Sequence, residues 1–247
     1  MIIILTALGV GGATIFGAAV GVMFKKVTKT FNDCVLAFAA GVMLAAAMLG
    51  LILPSLEYGG KYGAFTTVFG IFFGAACVHF MDKMIPVVTR VWGNEKIAAD
   101  RVRKVFLFVM AIAIHNLPEG IAAGVGFGTS DVAGGILIAT AIALQNIPEG
   151  LIVTVAMLGV NVKHSRAFLI SAITGLIEIF GTFIGYFTVS LSSSLLPMVL
   201  AFAGGTMLYV ISDEMIPETH AHGSQRGATY AFLVGFCLML IFDFFWG

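Results

Sequence analysis

The sequence predicts an all-α, polytopic membrane protein with eight transmembrane helices. Three observations carry that prediction. The chain of 247 residues is 60% hydrophobic and 11% charged, with a mean hydropathy of +1.05. Soluble domains run near ~45–50% apolar and ~25% charged, and need more polar surface than this chain supplies. The apolar residues fall in stretches that reach the length of a span, about 20 residues. No period-two alternation persists, and an open sheet cannot cross lipid.

The eight stretches are 2–24, 31–54, 63–86, 105–126, 132–158, 167–190, 196–217 and 227–246. The first lacks a positive start and a small-residue cleavage site, so it reads as a span and not as a leader. The connections are short and carry Gly, Asn, Asp, Ser and charged residues, as turns do. The longest, about 87–104, is charged. Residues 1–247 thus read as a single transmembrane domain.

Charge sets the orientation. Every basic residue except Lys61 falls after helix 1, 3, 5 or 7, among them Lys25, Lys83, Arg101, Lys163 and Arg226. Cytoplasmic connections collect Lys and Arg, so these connections, 87–104 included, are cytoplasmic and both termini face outward. A miscount by one helix would scramble this segregation. Net charge is zero and no basic tract occurs, so no nucleic-acid partner is indicated; the lipid bilayer is the surrounding medium. Cys34, Cys77 and Cys237 stand alone in apolar stretches and suggest neither disulfides nor a thiolate zinc knuckle. Small residues recur four apart at Gly17/Gly21, Gly70/Gly74, Gly120/Gly124 and Gly181/Gly185, a pattern that lets helices approach closely in lipid.

One short repeat stands out. His115-Asn116-Leu117-Pro118-Glu119-Gly120 lies in helix 4, and Gln145-Asn146-Ile147-Pro148-Glu149-Gly150 lies in helix 5. Positions i and i+4 share a helix face, so His115 and Glu119 point the same way, as do Gln145 and Glu149. Asn116 and Asn146 adjoin that face. Pro118 and Pro148 are expected to kink both helices and free the carbonyls of Ile114 and Leu144 to line a polar cavity.

A charge at the bilayer centre costs about 2.5–3.5 kcal/mol even on the insertion scale. Glu119, Glu149 and Glu178, the only charge within helix 6, have no Lys or Arg at matching depth. Protonated glutamates beside two proline kinks would relieve the cost. A bound divalent cation relieves it and also accounts for the His, Asn and Gln beside them. Imidazole with carboxylate suits Zn²⁺, and also Fe²⁺, Mn²⁺, Co²⁺ or Cd²⁺.

Weaker candidates flank this site. Met43 in helix 2 offers a thioether, although alone it reads as packing. Asp213, Glu214, Glu218, His220 and His222 cluster at the cytoplasmic end of helix 7, either as a relay along a transport pathway or as an interfacial polar cluster. His79 and Asp82 share a face of helix 3, and Asp243 sits within helix 8. His164 reads as a solvated loop residue.

The paired motifs resemble those of the ZIP (Zrt/Irt-like) metal transporters, and the Gln form in helix 5 resembles the bacterial GufA-like subgroup. The resemblance covers the whole chain. Glu178 stands where the family has its helix 6 carboxylate, and Met43 resembles the subgroup's helix 2 methionine. The resemblance implies a binuclear centre, with His115, Gln145 and Met43 on the first ion, Asn116, Asn146 and Glu178 on the second, and Glu119 and Glu149 bridging. It implies that helices 1–3 and 6–8 are inverted repeats around helices 4 and 5. Two departures are visible: Asn146 replaces an Asp of some relatives, and the 87–104 connection has no histidine.

Uptake of Zn²⁺ or a related divalent ion into the cytoplasm across a cell (inner or plasma) membrane is the function expected. The protein is then not an enzyme, and the ion is its substrate; a homodimer is an assembly open to it. The alternative is a membrane-embedded metal-dependent hydrolase, but no His-Glu-x-x-His helix is present.

Overall fold

The computed structural model describes the backbone of residues 1–24, 28–92, 100–127, 132–191, 193–221, 223 and 225–246. Within its helices, the side chains at 81–82, 84–92, 100–104, 106–108, 111, 114–115, 191, 193 and 246 lie outside the description. Among the described residues there are helices and turns but no strand.

Eight long helices follow one another: α1 (Ile2–Met23), α2 (Lys29–Tyr58), α3 (Gly63–Trp92), α4 (Asp100–Gly126), α5 (Val132–Leu158), α6 (His164–Leu191), α7 (Leu196–His220) and α8 (Gln225–Trp246). Seven of them are long and apolar enough to cross a membrane among the described residues; α4, at 27 residues, packs with them. Several helices outrun the predicted apolar stretches. Helix α3 continues to Trp92 and α4 starts at Asp100, so the 87–104 connection is shortened from both ends. Apolar length marks only the part in hydrocarbon, and a helix of polar residues can continue into the interface and water.

The helices fall into two groups. In one, α1 packs on α5, α4 on α6, and α1 on α6. In the other, α2 packs on α8 and α3 on α7. Exchanging α1 with α6, α2 with α7, α3 with α8 and α4 with α5 leaves this pattern unchanged. Three spans per repeat turn the second copy upside down, which is the inverted repeat that the family resemblance implies.

Glycine makes the close pairings. A Cβ on Gly17 of α1 would strike the backbone carbonyl of Ile147 in α5, and one on Gly181 of α6 would strike that of Leu117 in α4. The two contacts are images of one another in the repeat. Ser55 ties the second group together: its hydroxyl donates to the Pro197 carbonyl at 2.7 Å and lies 2.8 Å from the Thr67 hydroxyl. Phe65, Phe69, Phe72 and Phe73 of α3, and Phe180 and Phe187 of α6, are exposed, as apolar side chains facing lipid would be.

Pro118 and Pro148 lie within continuous helix, so neither α4 nor α5 unwinds there, and each proline lacks the N–H that would bond the carbonyl of Ile114 or Leu144. Wide turns lie at Ala47–Ile52 of α2 and Ile211–Met215 of α7, just ahead of Pro54 and Pro217. A proline ring clashes with the carbonyl four residues back, here Gly50 and Asp213, and widening the turn moves that carbonyl aside. The two wide turns again occupy equivalent places in the repeat.

Candidate metal centre

The motif residues of α4 and α5 meet inside the first helix group. Asn116, Glu119, Gln145, Asn146 and Glu149 are all buried, as is Glu178 on α6. Gly120 and Gly150, the last residues of each motif, set the spacing. A Cβ on Gly120 would strike the Glu178 carbonyl, and one on Gly150 would strike the Thr14 carbonyl of α1. The backbones therefore touch at the level of the carboxylates.

One carboxylate oxygen from each of Glu119, Glu149 and Glu178 lies within 4.8 Å of the other two. Three helices thus deliver three acidic groups to one small buried volume. The nearest basic residues along these helices are Lys104 on α4 and Arg166 on α6, roughly 22 Å and 18 Å along the axis at 1.5 Å per residue. Such charges are too remote to offset three carboxylates at this spacing.

Neutral donors hold the carboxylates in place. The Gln145 amide donates to Oε1 of Glu119. Asn146 Nδ2 donates to Oε2 of Glu178 at 2.8 Å and to the Val10 carbonyl of α1 at 3.1 Å. Both partners of that amide are acceptors, so its nitrogen must face them and its Oδ1 must face the other way. The Thr14 hydroxyl donates to the same Glu178 oxygen at 2.8 Å. Among the described residues, Gln145 Oε1, Asn146 Oδ1, Glu178 Oε1 and both polar atoms of Asn116 are buried without a hydrogen-bond partner. Buried polar atoms are normally satisfied, and oxygens left over around three carboxylates could serve as donors to a cation.

A model of the family described as ZIP Zinc transporter matches residues 92–243. The chain belongs to the ZIP zinc transporter family. Curated ZIP relatives match over 94% of the chain. Zinc transporter GufA of Myxococcus xanthus is 34% identical, with 94% of its own length covered. Zinc transporter ZIPB of Bordetella bronchiseptica is 37% identical over 77% of its length, and zinc transporter ZupT of Chlorobium chlorochromatii is 32% identical over 92%.

The other candidate residues of this ZIP chain are distributed as follows. The His115 side chain, like those of Asp82 and His222, lies outside the described residues. Met43 is buried in α2, in the apolar cluster that also holds Ala122 and Ala123 of α4 and Ile142 of α5. Asp213 is exposed and Glu214 half-buried in the wide turn of α7; Glu218 is exposed, and Asp243 is half-buried in α8. His220 has contacts of its own: its ring lies 2.9 Å from the Ile216 carbonyl and 3.2 Å from the Thr229 hydroxyl of α8. His79 shares a 2.8 Å hydrogen bond with Tyr209. Among the described residues, the only group of three metal-ligating acids or histidines is the glutamate trio.

Two contributors escaped the sequence reading, the Thr14 hydroxyl and the Val10 carbonyl. Neither carries a charge or a motif. The only trace is that Thr14 precedes Glu178 by the same 164 residues that separate Gly17 from Gly181.

Proposed function

We propose that this chain carries Zn²⁺ across a cell membrane into the cytoplasm, through a site built on Glu119, Glu149 and Glu178. The convergence of three buried carboxylates within 4.8 Å is the observation that carries this reading. An ion passing through such a site replaces the repulsion among them with attraction, and neutral oxygens of Gln145 and Asn146 complete its shell. Two ions are held in this reading: one by His115, Gln145 and Met43, a second by Asn116, Asn146 and Glu178, with Glu119 and Glu149 shared. Nitrogen and oxygen ligands without thiolate bind a transition metal firmly enough to select it and weakly enough to release it. Fe²⁺, Mn²⁺, Co²⁺ and Cd²⁺ fit the same donors. Both termini face outward.

The metal-dependent hydrolase is not favoured, because the relatives named above are zinc transporters. Flux into proteoliposomes loaded with a metal-sensitive dye, run with a panel of divalent ions, tests the proposal. Zn²⁺ entry that is lost in Glu149→Ala is expected. Equal dye response in protein-free liposomes and proteoliposomes would sink it.

A further inference from the structure

Thr14 lies in a span with no charged residue and no predicted ligand, yet its side chain reaches the acidic site. Three features of its placement are unusual. Thr14 is fully buried and donates to Glu178 Oε2 at 2.8 Å. A helical threonine ordinarily turns its hydroxyl to the carbonyl three or four residues back. Thr182, Thr188 and Thr229 do so, bonding Glu178, Ile184 and Gln225. The corresponding carbonyl for Thr14 is that of Val10, and it receives the Asn146 amide instead.

The inverted repeat explains why this hydroxyl is aimed correctly. Thr14 is backed by Gly150 as Glu178 is backed by Gly120. It is the image of Glu178 and projects from the opposite wall toward the same space. With Asn146 it gives Oε2 of Glu178 two donors, while Oε1 has no partner among the described residues. A carboxylate gripped on one oxygen has lost its freedom to rotate and presents the other.

We propose that Thr14 is a positioning residue for the ion on the Glu178 side: its hydroxyl fixes the Glu178 carboxylate so that Oε1 faces the metal. This rests on the reading of the glutamate cluster as the metal site. The hydroxyl is the active part of the side chain, and its methyl is packing. An ion bound through a pre-fixed carboxylate loses less conformational freedom on binding, so the contribution appears in affinity.

The test is equilibrium dialysis of Zn²⁺ against purified, detergent-solubilised full-length protein. Glu178→Ala first identifies which zinc affinity depends on that carboxylate. Thr14→Val and Thr14→Ala should weaken that same affinity about tenfold, the scale of one lost hydrogen bond to a charged group. Thr14→Ser, which keeps the hydroxyl, should restore it, and zinc bound independently of Glu178 should be unmoved in all three. The assignment of Thr14 falls if Thr14→Val binds as the wild type, or if Thr14→Ser is as weak as Thr14→Ala, because packing alone would then be at work. If Glu178→Ala itself removes no zinc, the metal reading of the site fails, and the role of Thr14 with it.

Discussion

The Gln145 amide of α5 donates to the carboxylate of Glu119 on α4, so one motif helix serves the acid of the other. Glu119 and Glu149 stand between the two helices and within reach of Glu178. A neutral amide thus steadies Glu119; in the function proposed above, an entering ion would offer a full charge in place of that dipole.

Removal of either central glutamate is therefore expected to abolish transport. Glu119→Ala and Glu149→Ala each delete a negative charge from a site that no basic side chain can compensate. Zn²⁺ flux should fall to the level of protein-free liposomes in both. His164→Ala, at an exposed position at the start of α6, should transport like wild type. Near-normal flux in both glutamate variants would show that the trio is not on the ion's path.

Helix spacing is expected to matter as much as ligands. A Cβ on Gly120 meets the Glu178 backbone, which cannot yield as a flexible side chain would. Gly120→Ala should push α6 away from α4 and destabilise the protein by about 1–3 kcal/mol, the usual cost of overpacking. Gly12→Ala is the control: open space surrounds its Cβ, and a neutral or slightly stabilising effect, up to about 1 kcal/mol, is expected. Thermal melting in detergent distinguishes the two. Identical melting temperatures would show that the α4–α6 contact is looser than described.

Orientation follows from the basic residues and can be checked with two exposed positions. In a background with Cys34, Cys77 and Cys237 replaced by alanine, Ser194→Cys before α7 should react with an impermeant thiol reagent added outside intact cells. Lys163→Cys between α5 and α6 should react only after lysis. Both sites are exposed in the fold, so accessibility alone does not decide the result. The reverse pattern would invert the direction of transport proposed here.

The residues that were legible in the sequence are those for which lipid makes the cost high. Glu119, Glu149 and Glu178 stand out because an intramembrane charge demands a reason, and the i to i+4 spacing puts His115 with Glu119, and Gln145 with Glu149, on one face of each motif helix. The eight spans are legible from apolar length. Backbone irregularity was not. Pro54 and Pro217 stand at the ends of the apolar stretches 31–54 and 196–217, but α2 and α7 accommodate them with a wide turn and continue to Tyr58 and His220. Pro118 and Pro148, read as kinks that free the carbonyls of Ile114 and Leu144, sit in helix that does not unwind. Thr14 was silent because a lone hydroxyl in an apolar span has a ready partner in its own helix; only the fold shows that this partner is taken.

Asn146 carries the sharpest expectation. Charge counting favours Asn146→Asp: two divalent ions bring four positive charges, and three glutamates supply only three negative ones. The geometry adds a cost that composition does not show. Asn146 Nδ2 faces two acceptors, Glu178 Oε2 at 2.8 Å and the Val10 carbonyl at 3.1 Å. Aspartate places an oxygen there, turning two attractions into two repulsions. The metal-free variant should be less stable by on the order of 2 kcal/mol or more, since each buried acceptor left without its donor costs about 1–3 kcal/mol. Only a proton shared between the introduced carboxylate and Glu178 mends the first contact, and an incoming ion must displace it. Zn²⁺ should therefore bind the variant more tightly at high pH, with affinity falling more steeply than in wild type as pH drops. The zinc-induced rise in melting temperature should also exceed that of wild type. Both quantities come from thermal melts with and without zinc across a pH series around neutrality. If the metal-free variant melts with wild type and zinc raises both equally, Asn146 does not hold Glu178 in the way its two hydrogen bonds describe.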